Sequence, residues 1–143
     1  MTDAEVVAFL AERTKLHVAT VNRDGSPHLM PMYFLADGAT VVFWTFTKSQ
    51  KIRNLERDPR IAVMAEDGDA YFDLRGVQIA GIAHLAADPD ATRAFGERLY
   101  ARQFGAVDEA VREQVARQAA KRTVVTVEPR RIASWDHRKL LEA

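Results

Sequence analysis

The chain has 143 residues with 20 basic and 20 acidic side chains, 48% hydrophobic and 28% charged residues, and no cysteine. That length supports one core. The even charge gives no global field towards nucleic acid or an anionic membrane, and the lack of cysteine excludes disulfides, thiolate metal sites and a cysteine nucleophile.

The first residues, "TDAEVVAFLAERTK", are acidic and amphipathic rather than basic and then apolar, so they do not read as a signal peptide. They carry the Thr2/Glu5 spacing of a capping box, with Val6, Phe9 and Leu10 on one face, and predict a helix over about 3 to 13. "LHVATVN" alternates as a strand, and Asp24-Gly25 turns it into the return strand "PHLMPMYFL". A second turn at Asp37-Gly38 leads into "TVVFWTF", expected as the third strand of a meander. A short helix follows over about 48 to 57, with Thr47 and Gln50 at capping-box spacing, and Asp58-Pro59 ends it.

Further strands are expected at "IAVMAE" and "YFDLRGVQIAGIAHL", where Gly76 and Gly81 mark bulges or close backbone approach. Asp88 and Pro89 open a helix to about 103, and a second runs over about 108 to 121 after Gly105. "TVVTVEP" is a sixth strand and "IASWD" a short seventh. No apolar run approaches the roughly 20 residues that span a bilayer. The expectation is one cytoplasmic domain, mainly β of α+β type: a six- to seven-stranded antiparallel barrel with peripheral helices.

The stretch "WTFTKSQKIRNLERDPR", residues 44 to 60, carries the chemistry. A helix N-terminus offers unpaired N–H groups and partial positive charge to an anion. Ser49 adds a hydroxyl there, Lys48, Lys51 and Arg53 add full charges, and Ile52 and Leu55 would anchor the helix. The local pattern equally suits a solvated basic face. His17, His28, His84 and His137 lack the local spacing of metal ligands, so no metal is expected. Hydrolase, phosphate-loop and dinucleotide glycine motifs are absent.

The run "SPHLMPMYFLADGATVVFWTFTKSQKIRNLERDPRIAVM" resembles the pyridoxamine-phosphate-oxidase-like split-barrel family, and "VQIAGIAHL" is similar to its Gly-x-Ala strand. The resemblance spans roughly residues 10 to 136. It implies a split barrel that forms a homodimer, with one cofactor in each of two grooves between subunits. By position, Lys51 would bind the cofactor phosphate with Ser49, Lys48, Gln50 and the helix start. Thr45 and Trp44 would line the ribityl chain and ring. The strand His28 to Met32, with Met30 and Pro31, would follow the isoalloxazine edge, and Gln78 and Gly81 would complete the pocket.

The family's namesake has an arginine where this chain has Gln50, and ends in an Arg/His clamp where this chain has "SWDHRKL". "KIRNLERDPR" is closer to the short deazaflavin-dependent branch, so coenzyme F420 is favoured and FMN is the alternative. Lys48, Arg53 and Arg75 would then serve the coenzyme's phosphodiester and polyglutamate tail, and Arg122 is a further candidate for that tail. The implied activity is hydride transfer between this cofactor and a small organic substrate, with no catalytic acid or base evident. A split barrel that stores a flavin or haem without turnover would have the same sequence. So would a structural module with no ligand. Trp135 reads equally as a lid over the cofactor or a plug of the barrel end, and Tyr33, Tyr71 and Tyr100 as packing residues.

Overall fold

The structure, a computed structural model, describes residues 1–142. The elements run α1 (Asp3–Glu12), β1 (Lys15–Val21), β2 (Pro27–Tyr33), β3 (Leu35–Asp37), β4 (Thr40–Phe46), α2 (Gln50–Arg57), β5 (Arg60–Asp67), β6 (Arg75–Ala86), α3 (Pro89–Phe104), α4 (Glu109–Ala119) and β7 (Arg122–Asp136). Local signals set most boundaries. Thr2 caps α1 by accepting from Glu5 N, Asp88 caps α3 from Ala91 N, and Gly25 and Gly38 take positive φ in the two hairpin turns.

All seven strands are antiparallel, in the order β2-β1-β5-β6-β7-β4-β3. The two ends of that order are consecutive in the chain, separated only by Phe34, so the sheet curls into a half-barrel. Phe34 is buried in the core and its N–H donates to Thr14 O. Before it, β2 pairs with β1; after it, β3 pairs with β4.

The expected meander is therefore wrong in one pairing. β4 lies beside β7, from Val41↔Val127 to Phe46↔Arg122, and not beside β2. Between β2 and residues 43–46 of β4 the barrel stays split. Each side of that split is a backbone edge with no strand partner.

The core fills the half-barrel with Val18, Phe34, Phe43, Val63, Val125 and Val127, and α2 closes it with Ile52 and Leu55. A second cluster lies outside β4, where Trp44, Leu35 and Val124 meet Phe95, Leu99 and Val115 of α3 and α4. Covered on both faces, β4 is buried from Val41 to Thr45, which explains its continuous apolar run. The expected sixth and seventh strands are one, the 15-residue β7, paired with β6 along its length. A bulge between Ala80 and Gly81 faces Pro129, which has no N–H to give. Tyr71–Asp73, expected as strand, forms a 3-10 turn instead.

Candidate functional site

The two walls of the split follow from register. His28, Met30 and Met32 stand opposite Thr20, Val18 and Leu16, all three buried, so they belong to the barrel's inner face. Yet Met30 is 43% exposed, because no strand lies across from it. On the other wall Thr45 pairs with Thr123, and both are buried on the inner face. Where the walls converge, a cleft of about 180 Å³ is lined by Met32 and Tyr33 on one side and Thr45 and Phe46 on the other, with Arg122 beside them. Unpaired backbone N–H and C=O groups along both edges are ready partners for a ligand's polar rim.

Helix α2 follows β4 directly. Its cap is Ser49, whose Oγ accepts from Ile52 N at 3.4 Å, not Thr47. Thr47 is held by β7 instead, with its hydroxyl 2.9 Å from Thr123 Oγ1 and its N–H on Lys121 O. Lys51, in the first turn, is only 7% exposed. Among the described residues it pairs with no carboxylate and makes no hydrogen bond. Burial pulls its ammonium below the ordinary lysine range. Its stem is buried, but Nζ is not among the buried atoms that lack a partner, so the ammonium reaches the surface at the helix start, where an anion has access to it.

The rest of the basic motif has structural employment. Asn54 is fully buried; its Nδ2 donates to Thr20 Oγ1 and Asn22 Oδ1, both at 3.0 Å, and its Oδ1 accepts from Gln50 Nε2 at 2.8 Å. Arg57 donates to the same Oδ1 and to Val21 O. Asp58 accepts from the Arg60 backbone and guanidinium, 2.7 Å at the shortest. Together these pin α2 to β1 and set the turn into β5. Sequence reasoning overlooked Asn54 and Arg57, although a polar residue on the core-facing side of α2, one turn from Lys51, was the available signal. It leaves Lys51 as the cation of this helix that is buried without a partner.

The other expected ligands divide. Ser49 and Thr45 lie with Lys51 around the end of β4, and His28, Met30 and Met32 form the opposite wall. His28 Nδ1 is buried without a hydrogen-bond partner. Pro31 sits in β2, an edge strand paired on one side only, the position in a sheet that tolerates proline. Lys48, Gln50 and Arg53 are exposed.

Trp44 points away from the inner face, its ring 6.0 Å from Phe95, and reaches the cleft only beneath Arg122. Gly81 is needed for the bulge, since a Cβ there would lie 2.1 Å from Glu128 O. Gln78 stands opposite Met64 on the sheet's outer face, away from the split of its own chain. Arg75 is held by Asp67 at 2.6 Å and packs over Phe9. Trp135 packs on Gly76, where a Cβ would meet its ring at 2.0 Å, and through that pairing it shares the sheet's outer face with Gln78.

A family model described as pyridoxamine 5'-phosphate oxidase matches residues 2–136. A conserved hypothetical protein of Mycobacterium tuberculosis, Rv2991, is 37% identical with a TM-score of 0.91, covering 98% of this chain and 88% of that one. A structure named F420 reductase is 30% identical with a TM-score of 0.72, covering 88% of this chain and 94% of that one. A 20% identical protein of Listeria innocua, described as a putative pyridoxamine 5'-phosphate oxidase, shares the fold with a TM-score of 0.73, covering 95% and 99%. No curated protein matches the chain.

Proposed function

The chain belongs to the pyridoxamine 5'-phosphate oxidase family of split barrels, and from that premise we propose that it is an oxidoreductase using a flavin-type cofactor, F420 before FMN, seated in the split with its phosphate on Lys51. The observation that carries the reading is the buried, unpaired Lys51 at the start of α2. The first-turn N–H groups and the Ser49 hydroxyl would share the anion with it. The free edges of β2 and β4 offer donors and acceptors to the polar rim of a flat ring, and Met30 and Met32 present polarizable apolar surface to its face. Exposed Lys48 and Arg53 on the same helix suit a longer anionic tail, as F420 has. The likeness to the F420 reductase supports the same preference. Bound there, the ring would exchange a hydride with a small organic substrate; the protein binds, orients and excludes water.

The reading includes a second copy of the chain. On the outer face of the sheet Leu29, Ala19, Ala62 and Ala80 form one cross-strand row, and Pro31, His17, Met64 and Gln78 the next. Leu29 is 63% exposed and borders a shallow cleft of about 230 Å³. Small and apolar outward residues over four adjacent strands suit a flat contact with an equivalent face. Gln78, remote from its own split, would then approach the partner's.

The test is a fluorescence titration of the protein with F420 and with FMN, repeated for Lys51→Ala. F420 should bind more tightly, and the variant should lose about 1.5–3 kcal/mol of that affinity, the range for a hydrogen bond to a charged group. Tighter FMN binding would reverse the cofactor preference. Binding with no turnover by any reductant and acceptor would assign a storage role, and no binding of either would remove the reading.

A further inference from the structure

We propose that Arg122 and the aromatic cleft beside it bind the carboxylate of a small aromatic or aliphatic acid, which makes the substrate an organic acid rather than a neutral molecule. Arg122 is the first residue of β7 and pairs directly with Phe46, the last residue of β4. Its guanidinium lies 4.3 Å from the Phe46 ring centroid and 5.0 Å from that of Trp44. Both of its hydrogen bonds leave from Nη1, to Gln118 O at 3.3 Å and to Gln118 Oε1. Among the described residues no carboxylate pairs with it, whereas Arg60, Arg75, Arg93, Arg98, Arg130 and Arg138 each have one. Nε and Nη2 make no hydrogen bond among the described residues, and Arg122 lines the cleft. Stacked on two rings and anchored through one nitrogen, the guanidinium is held as a flat, pre-oriented fork, the geometry that recognises a carboxylate.

The cleft sets the size of the rest of the molecule. At about 180 Å³ the open cleft has room for a body of about one ring. Its walls are Met32, Tyr33, Thr45, Phe46 and Leu99, mostly apolar, with Arg122 as the one full charge. An apolar body with one anionic group fits that lining. Lys51 and Arg122 flank the same end of β4, the first on α2 and the second on β7 beside Phe46, so the two cations are separate anchors. That the Arg122 anion belongs to the substrate rests on the proposed cofactor site at Lys51; that the cleft takes a carboxylate does not.

The experiment titrates benzoate and, separately, benzyl alcohol into the full chain with and without F420, following fluorescence of Trp44, which lies under Arg122, in a Trp135→Phe background. Benzoate should bind at least about tenfold more tightly than benzyl alcohol, as expected for a charged hydrogen bond. Arg122→Gln should remove that preference and leave F420 affinity unchanged, and Arg122→Lys should keep part of it. Equal binding of the two probes to the wild-type chain, or benzoate affinity unaltered in Arg122→Gln, overturns the proposal. Should the glutamine variant lose its fold with the Gln118 contacts, the wild-type preference and the lysine variant decide. Benzoate selectivity without F420 binding would sink the cofactor reading alone. A loss of F420 affinity in a folded Arg122→Gln variant would reassign Arg122 to the cofactor and refute the proposal.

Discussion

Lys51 carries a charge that the fold alone leaves uncompensated. Because burial lowers its pKa below 10.5, the unfolded chain holds that proton more tightly than the folded one. Its penalty is therefore complete at neutral pH and fades only as pH rises from the folded value towards the unfolded one. Lys51→Met keeps the length and removes the charge. The variant should melt at a higher temperature than the cofactor-free wild type near pH 7, yet bind F420 more weakly; a lower melting temperature would show the ammonium to be satisfied in the fold. Asp58 behaves oppositely. Hydrogen bonds from Arg60 hold its carboxyl down to about 2, against an ordinary 3.8. Its stabilisation is present above the unfolded value and disappears as pH falls through the folded one. Acid titration followed by circular dichroism should show Asp58→Asn losing less stability than wild type between those two values.

At the scale of elements, the contact of β4 with α3 depends on a missing side chain. Gly96 is buried in α3, and a Cβ there would lie 2.5 Å from the Trp44 ring and 2.8 Å from Val115. Alanine is the better helix former by roughly 1 kcal/mol, but crowding in a packed core costs about 1–3 kcal/mol. Gly96→Ala should therefore destabilise the protein on balance in urea unfolding, with a blue-to-red change in Trp44 emission as α3 moves out; a stabilised variant would show that the ring yields freely. The helices themselves were legible, since Thr2, Asp88 and Gly105 are short-range signals and act within one turn. The face that Trp44 covers was not. "VVFWTF" is apolar at every position, so period-2 reasoning has no polar residue from which to assign inside and outside. Packing of α3 and α4 on one side and the core on the other made that assignment.

For the whole molecule, the outer sheet face is the feature to test. Ala62 lies near its middle, between Ala19 and Ala80. Ala62→Glu places a charge there at no cost to the core of one subunit. Light scattering should find the wild type as a dimer and this variant as a monomer with weakened F420 binding. A monomeric wild type would remove the dimer from the functional reading.

The sequence by itself determined the α-helices, the hairpin turns, the antiparallel α+β class and Lys51 as the residue to examine, because caps, turns and a charge beside apolar anchors are read from neighbours a few positions apart. Tertiary structure alone decided that residues 27–37 serve two edges, that β7 rather than β2 accompanies β4, and that Arg122 reaches Phe46 and Trp44. It also decided which cations of "KIRNLERDPR" are satisfied: Arg57 finds Val21 and Asn54, Arg60 finds Asp58, and Lys51 finds none among the described residues. The physical reason is range. A charge's hydration and partners depend on what the closed barrel brings beside it, and a strand's neighbours depend on where the sheet curls, neither of which is written in adjacent residues.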